Sequence, residues 1–218
     1  MRTLQSALPA TPLADSLVLR RRGGALELVS GRVVLLSSAA LETERAFGQL
    51  AARLVSGKLR RVIVGGLGLG ATARGVLDVS SPDTNVVVVE KVEAVVALVR
   101  GELSHFSDRA LDDARVSVVC ADVADVIGAA GGDVDAILLD VDNGPEWASF
   151  RHNARLYVHA GLAVARRALR PGGAFAVWSG YPADPFRARL RAAGFTPSVE
   201  LLRERGRVRA RAYVGTRS

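Results

Sequence analysis

The fold is decided by residues 61–71, whose sequence RVIVGGLGLGA is an apolar run that ends in closely spaced glycines. Such a run predicts a buried strand, and the glycines predict a tight turn into a following helix. Glycine lets the backbone approach a ligand at a point where a side chain would clash. A strand, a glycine turn and a helix start together hold nucleotide-like ligands, so the stretch predicts a binding loop.

Further apolar runs follow this loop and alternate with segments that have helical character. The strands are predicted at residues 61–65, 85–90, 115–120, 134–140 and 174–178, with helices at about 70–78, 92–103, after 122, 153–169 and 184–193. Apolar strands that alternate with helices are typical of a parallel sheet covered on both faces. Two more strands, at 198–203 and 208–214, are close enough to form a hairpin. The expected fold is α/β, with a Rossmann-like, mostly parallel seven-stranded sheet and a C-terminal antiparallel hairpin.

The N-terminal part of the chain has a different pattern. Residues 1–24 show no clear periodicity, and the basic run at 20–22 is expected to be solvated. Two apolar runs around Ser30-Gly31 then predict a short β-hairpin. Ser37-Ser38 is expected to cap a helix over residues 39–56. We therefore expect an N-terminal hairpin and helix appendage at residues 1–57 and a cofactor-binding domain at residues 58–218.

Composition limits the class of protein. The 218 residues are 49% hydrophobic, and no apolar run approaches the roughly 20 residues that span a bilayer. The start of the sequence does not resemble a signal peptide, so a cytoplasmic protein without a membrane partner is expected. The single cysteine, Cys120, excludes an internal disulfide and a multi-cysteine zinc site, and we expect it to be buried in its strand.

The net charge of +7 comes almost entirely from arginine. Arg205, Arg207, Arg209 and Arg211 alternate, which predicts one strand face with four positive charges. Such a face either follows a nucleic-acid backbone or keeps an exposed strand from pairing with another molecule. The second interpretation is favoured, and nucleic acid is kept as an alternative partner.

Acidic residues stand at the carboxyl ends of the second and third strands. Glu90 follows Gly70 by 20 residues, where a carboxylate can accept hydrogen bonds from both hydroxyls of a ribose. Its alternative role is to favour the dipole of the next helix. Asp122 can either accept from an adenine amino group or cap the next helix, and the sequence leaves both interpretations open.

The fourth strand ends in an acidic loop. Asp140, Asp142 and Glu146 are three carboxylates within seven positions beside the predicted binding loop. Together they can bind and deprotonate a cationic amine, and mutual repulsion would raise the pKa of at least one of them. A turn built on Asp, Asn, Gly and Pro is the alternative. Nearby aromatic residues, among them Trp178 and Tyr181, either wall a pocket or belong to the core.

In order and spacing, these motifs resemble the spermidine synthase-like family within the class I S-adenosylmethionine-dependent methyltransferase fold. The resemblance implies cofactor binding by Gly65, Gly66, Leu67, Gly68, Gly70, Glu90, Lys91, Asp122, Val123 and Asp140, and catalysis by Asp140 and Asp142. Several positions depart from the family pattern, and two of them bear on polyamine specificity. The glycine loop holds only Gly and Leu where polyamine synthases carry an Asp, and Asn143 stands where a second carboxylate is usual. Cofactor type therefore carries over more safely than polyamine specificity.

The resemblance implies a transferase, with S-adenosylmethionine or its decarboxylated form as cofactor. A methyl or aminopropyl group would move to a small-molecule acceptor, most simply an amine, and the family often forms homodimers. One alternative is an NAD-binding oxidoreductase, because residues 66–71 also satisfy the pattern G-x-G-x-x-A. Another is a non-catalytic member that binds a nucleoside or RNA.

Overall fold

The computed structural model describes residues 2–3, 17–31, 33–141, 143–146 and 151–218. The strands are β1 (Arg2–Thr3), β2 (Leu17–Arg22), β3 (Ala25–Ser30), β4 (Val33–Ser37), β5 (Arg61–Gly65), β6 (Asn85–Glu90), β7 (Val116–Cys120), β8 (Val134–Leu139), β9 (Leu169–Ser179), β10 (Thr196–Glu204) and β11 (Arg207–Thr216). The helices are α1 (Leu41–Gln49), α2 (Ala51–Leu54), α3 (Ala71–Val79), α4 (Glu93–Arg100), α5 (Val123–Gly128), α6 (His159–Ala168) and α7 (Pro185–Ala192). Three short 3-10 helices connect them, at Ser104–Ser107, Ala110–Asp112 and Arg151–Leu156.

The central sheet has seven strands in the order β10-β11-β9-β8-β5-β6-β7. Strands β5 to β9 pair in parallel, whereas β11 runs antiparallel to both β9 and β10. This confirms the predicted mostly parallel sheet with its C-terminal antiparallel hairpin. Because the strand order reverses between β5 and β8, the carboxyl ends of these strands open a crevice in which ligands bind in such sheets.

The N-terminal sheet has the order β1-β2-β3-β4 and is antiparallel throughout. It confirms the hairpin of β3 and β4, and it adds strands β1 and β2 within residues 1–24, where the sequence shows no clear periodicity. Strand β2 pairs with β3 along its whole length, and Leu17 at its start is buried. The sequence pattern did not indicate this strand, because β2 ends in a run of three arginines, the last two of which are exposed.

Two apolar cores cover the two faces of the central sheet. One lies under α1, α3 and α4 and also includes Leu17, Leu26, Leu28 and Leu36 of the N-terminal sheet. The other lies under α5, α6 and α7. The side chains of β8 and β9 therefore alternate between the cores, with Leu138 and Trp178 on the α1 side and Leu139 on the other.

Helix α1 begins later than predicted, and the expected Ser37-Ser38 cap is wrong. Its first turn has no side-chain cap, and the Ser38 hydroxyl instead accepts a hydrogen bond from Leu26 N at 2.8 Å. The segment also divides into two helices, α1 and α2, at Leu50. Ser38 therefore ties the start of the helix back to strand β3 rather than extending the helix.

A close backbone contact fixes α1 against α3. A Cβ atom at Gly48 would lie 2.1 Å from Thr72 O, and one at Gly75 would lie 2.0 Å from Arg45 O. Side chains support this contact, since the Arg45 guanidinium pairs with Asp78 at 2.7 Å. The two glycines let the helices approach more closely than any other residue type permits.

The exposed edge of the sheet differs from expectation at Cys120. This residue is exposed rather than buried, because β7 is the last strand of the sheet and has no neighbouring strand on one side. Within the described residues, no helix is both long and apolar enough to cross a membrane.

Candidate functional site

A cavity of about 250 Å³ opens at the carboxyl ends of β5, β6, β7 and β8. Strand β4 of the N-terminal sheet contributes one wall through Leu35. The remaining lining residues are Gly66, Gly68, Val89, Glu90, Lys91, Val92, Val95, Ala121, Asp122, Val123, Asp140, Val141 and Asn153. The cavity thus combines apolar walls with a few converging charged groups, which is the usual make-up of a small-molecule site.

The glycine loop forms the floor of this cavity. Gly66 has a φ of +88°, and a Cβ atom there would lie 2.3 Å from Asp140 O. Gly70 has a φ of +84° and starts helix α3, packed against Ser107. Gly68 also has a positive φ, but a Cβ atom there would have no neighbour within 4 Å, so this part of the loop faces open space. Only Gly66 and Gly68 of the loop line the cavity.

The other two predicted loop residues have supporting positions. Gly65 is packed against Leu139 and Val123, so a side chain there would collide with the α5 side of the sheet. Leu67 is 3% exposed and belongs to the core on the α1 side. Their backbone atoms hold the loop, since Asp140 N donates to Gly65 O at 2.8 Å.

Glu90 connects the glycine loop to the end of β6. One carboxylate oxygen accepts a hydrogen bond from Leu67 N at 3.1 Å, and the other accepts from Val92 N at 2.9 Å. Each carboxylate oxygen has two lone pairs, so Glu90 retains acceptor capacity for hydroxyl donors. The predicted position beside the loop is observed, and Glu90 also organises the loop itself.

Asp122 lies at the centre of a small charged cluster at the end of β7. It caps α5 by accepting from Ala124 N at 3.0 Å, and it pairs with Lys91 at 3.3 Å and with Arg155 at 2.8 Å. Burial alone would raise the pKa of Asp122, but the Ala124 amide and the two cations outweigh it, so the pKa is lowered. The capping interpretation is therefore correct, and the carboxylate also lines the cavity.

Asp140 has a different environment, although it lines the same cavity. Its carboxylate accepts a hydrogen bond from the Thr72 hydroxyl at 2.6 Å. Burial raises the pKa of Asp140 to about 6, and the Thr72 hydrogen bond only partly opposes this rise. The pKa of Asp140 is thus raised, but by burial rather than by the mutual repulsion that the acidic loop predicts, and an acid of this strength can exchange a proton near neutral pH.

The acidic neighbour of Asp140 is Glu44 of helix α1, which the sequence interpretation missed. Burial raises the pKa of Glu44 well above its usual range, and the negative charge of Asp140 raises it further. The Thr72 hydroxyl lies 3.3 Å from Glu44 O, so α1, α3 and the end of β8 meet here. The available signal was Gly48, one helical turn after Glu44, because a helix glycine marks a close contact on that face.

The structure describes only one of the other two carboxylates of the predicted acidic loop. Asp142 lies outside the described residues. Glu146 forms an ion pair with Arg189 of α7 and does not line the cavity. Of the nearby aromatic residues, Trp178 is buried on the α1 side of the sheet, and the Tyr181 ring is half exposed.

The predicted face with four arginines is wrong in one detail. Arg207, Arg209 and Arg211 alternate within β11, whereas Arg205 lies in the turn with a φ of +48°. Arg209 is also within 3.7 Å of Glu204. Within the described part of the chain, no group of three His, Cys, Asp or Glu side chains is arranged to hold a metal ion.

The residues at this edge of the sheet fit an adenosyl group. The open space at Gly68 admits a ligand beside the loop, and Glu90 offers acceptors for ribose hydroxyls. Asp122 offers an acceptor for an adenine amino group next to the apolar walls of the cavity. These roles remain predictions for Glu90, Lys91, Asp122 and Val123, which all line the cavity as the sequence interpretation requires.

Comparison with known proteins gives one sequence relative and several solved structures that bear on this site. No protein-family model matches the sequence. A polyamine aminopropyltransferase from Synechococcus sp. (strain JA-2-3B'a(2-13)) is 35% identical over 130 residues, which are 58% of this chain and 39% of that protein. The chain thus spans well under two thirds of this relative.

Solved structures share the fold. A spermidine synthase in complex with the transition state analogue AdoDATO has a TM-score of 0.63 and 17% identity, over 88% of this chain and 65% of the other. The spermidine synthase from Thermotoga maritima has the same TM-score and coverage, with 18% identity. A probable spermidine synthase from Corynebacterium glutamicum has a TM-score of 0.60 and 18% identity, over 92% and 76%. These likenesses confirm the fold that the motifs resemble.

Proposed function

We propose that this chain, which has the spermidine synthase-like fold of the class I S-adenosylmethionine-dependent methyltransferase superfamily, transfers an aminopropyl group to an amine. The distant relation to a polyamine aminopropyltransferase makes a transferase the natural expectation. The observation that carries the proposal is Asp140, whose backbone packs against Gly66 of the glycine loop and whose carboxyl lines the cavity with a raised pKa.

The cofactor would be bound by residues whose carboxylates already accept hydrogen bonds within the fold. Glu90 and Asp122 would hold the ribose and the adenine, and Gly66 and Gly68 would leave room for the remaining atoms. When bound, the cofactor supplies an electrophilic carbon next to a positively charged sulfur. The two carboxylates at the Asp140 end would repel a cofactor carboxylate, which favours the decarboxylated form and hence aminopropyl transfer.

Asp140 would prepare the acceptor. An amine attacks only with a free electron pair, so its ammonium form must first lose a proton. An Asp140 carboxylate with a pKa of about 6 is mostly ionised at pH 7 to 8 and accepts that proton more readily than an ordinary aspartate. Turnover should therefore rise with pH through about 6 as Asp140 loses its own proton.

The test combines calorimetry with an activity assay. We expect methylthioadenosine and decarboxylated S-adenosylmethionine to bind, and Glu90→Ala to weaken both. Asp140→Asn should lower turnover by about 10²- to 10⁴-fold while methylthioadenosine affinity stays within about twofold. Failure of every adenosyl compound to bind would refute the proposal, and unchanged turnover in Asp140→Asn would remove Asp140 from the mechanism.

The alternatives have their own discriminating measurement. A thermal-shift comparison of NAD with methylthioadenosine separates the proposed transferase from an NAD-binding protein, for which the antiparallel β10–β11 hairpin is an unusual ending. A non-catalytic nucleic-acid binder would bind RNA with a steep dependence on salt. Stabilisation by NAD alone, or salt-dependent RNA binding without adenosyl binding, would favour those alternatives.

A further inference from the structure

The edge of the central sheet opposite the glycine loop holds a second, open cavity of about 650 Å³, at the amino ends of β5, β8 and β9. We propose that this cavity binds an oligophosphate group, such as a pyrophosphate or triphosphate chain. The proposal goes beyond the transferase function, because the two cavities share no lining residue. Asp135 lines the second cavity and Asp140 the first, and the extended chain between them covers about 16 Å.

The lining of this second cavity is polar or charged throughout the residues that the structure describes. Four of its residues are cationic and two are acidic, which leaves a surplus of two positive charges. The cations are Lys58, Arg60, Arg61 and Arg170, the acids are Asp133 and Asp135, and Ser56 completes the lining. Because no apolar or aromatic residue is among them, the cavity selects its ligand by charge and hydrogen bonds, and the surplus selects an anion.

The two acids of the cavity are already engaged within the fold. Asp135 is 2% exposed, accepts hydrogen bonds from Arg60 N and Arg61 N at 2.7 Å each, and pairs with the Arg170 guanidinium. Asp133 pairs with the Arg61 guanidinium at 2.5 Å. Since each acid already has its own cation, neither one neutralises the two cationic side chains that remain.

Lys58 and Arg60 are the cations that remain for a ligand. Within the described part of the chain, neither side chain forms an ion pair or a hydrogen bond. Both are exposed and line the cavity, whereas Leu59 between them belongs to the core on the α1 side, so the two cations lie on one side of the segment. They lower the pKa of Asp83 less than the Ser81 hydroxyl does, and Asp83 does not line the cavity.

The backbone holds this cationic segment in place without a ligand. Leu59 O accepts a hydrogen bond from the Thr84 hydroxyl at 2.8 Å, and Arg60 O accepts one from Asn85 N at 2.7 Å. These contacts join the segment to the start of β6, while Arg60 N joins it to Asp135 of β8. A backbone that is already fixed loses little conformational freedom when a ligand binds, which favours binding.

The arrangement fits a chain of phosphates better than a single small anion. Arg170 comes from β9, and its guanidinium donates to Ser56 O at 2.7 Å, so cations reach the cavity from two separate parts of the chain. The volume is in the range of pockets that hold ligands much larger than one phosphate ion. A guanidinium binds phosphate oxygens in pairs and an ammonium group acts as a point charge, so one phosphate chain can engage Lys58 and Arg60 together.

Calorimetry of the full chain with tripolyphosphate tests the proposal. We expect binding that weakens as the salt concentration rises, and the double variant Lys58→Gln, Arg60→Gln should lower the affinity by about tenfold or more. The matched control is Arg187→Gln, Arg191→Gln, which removes the same charge from two exposed arginines of α7 outside the cavity. The control should bind tripolyphosphate within about twofold of wild type, and urea titrations of both double variants should show wild-type stability.

Further probes distinguish the sources of such a group. Tighter binding of uridine triphosphate than of tripolyphosphate would assign the cavity to nucleotides, and equal affinities would assign it to free oligophosphate. The proposal would be overturned by the absence of tripolyphosphate binding in wild type, by equal affinities in the two double variants, or by binding of a short single-stranded RNA alone. Methylthioadenosine affinity should not change in either double variant, and its failure to bind would refute the proposed function without affecting this test.

Discussion

The two ends of strand β8 carry one aspartate each, and their surroundings are opposite. Asp135, near the start of the strand, is 2% exposed and accepts hydrogen bonds from Arg60 N and Arg61 N at 2.7 Å each. The Arg170 guanidinium completes its shell. Asp140, just past the other end, has a neutral Thr72 hydroxyl and a second carboxylate nearby. The same residue type is fully compensated at one end and left uncompensated at the other.

The difference separates an aspartate whose charge serves stability from one that we propose serves binding. Asp135 joins the loop before β5 to the start of β9, so contacts within the fold compensate its charge. The charge of Asp140 is available to a ligand, at a cost to the stability of the folded protein. A stable fold tolerates such a cost at a functional site, and four substitutions test the contrast.

The largest effect should follow the loss of the compensated charge. Asp135→Ala leaves the Arg170 guanidinium and two backbone amides without their shared acceptor, so we expect the free energy of unfolding to fall by about 3–5 kcal/mol in urea titrations. The control is Asp133→Ala, which removes a 57% exposed partner of Arg61 and should cost at most about 1 kcal/mol. Equal losses in the two variants would contradict the special role of Asp135.

Next in size is the helix contact that brings the second carboxylate to Asp140. Gly48→Ala places a methyl group where Thr72 O lies at 2.1 Å, so α1 must move away from α3. We expect a loss of about 3 kcal/mol in the free energy of unfolding. Gly131→Ala, at a position with nothing within 4 Å, is the matched control and should remain within about 0.5 kcal/mol of wild type.

A smaller effect of opposite sign is expected at the uncompensated end. The folded-state pKa of Asp140 is raised to about 6, so its contribution to stability is complete below pH 4 and is lost as the pH rises through 6. Asp140→Asn removes that loss and should be more stable than wild type by about 1–3 kcal/mol at pH 8. Urea titrations from pH 4 to 8 measure the difference, which should shrink toward zero at pH 4. A pH-independent difference would show that the charge is not responsible.

The smallest effect concerns the hydrogen bond that the Thr72 hydroxyl donates to Asp140. Thr72→Val keeps the shape but removes the hydroxyl, and since this bond lowers the pKa of Asp140, the pKa should rise by about one unit above 6. Carboxyl NMR titration measures it. Thr43→Val is the control, because the Thr43 hydroxyl donates to Ala40 O instead. An unchanged pKa in Thr72→Val would mean that the bond does not favour the charged form.

Sequence patterns predicted the carboxylates at the ends of the strands more completely than the carboxylate on helix α1. Glu90, Asp122 and Asp140 each follow an apolar strand, and parallel strands bring their carboxyl ends to one edge, so local pattern and topology suffice to place them. Glu44 lies on a helix outside that repeat. Its approach to Asp140 depends on how α1 crosses α3, which the backbone contact at Gly48 decides and periodicity alone does not.

Other differences have the same origin in tertiary contacts. Strand β2 ends in exposed arginines, so its pairing with β3 left no apolar alternation to detect. Ser38 has the composition of a helix cap but bonds to Leu26 N across the sheet. In both places a partner distant in sequence decides the local structure, and a single strand or turn does not contain that information.

The contact of α1 with α3 also has a consequence for how the protein is made. Helix α1 leaves the ribosome long before β8 and β9, so Glu44 is synthesised well ahead of Asp140 and Trp178. The glycine loop and Glu90 are near neighbours along the chain and need only local closure, whereas the contact of α1 with α3 and the end of β8 needs a long loop to close. During biosynthesis, the glycine loop and Glu90 can therefore come together early, and the contact of α1 with the end of β8 forms later.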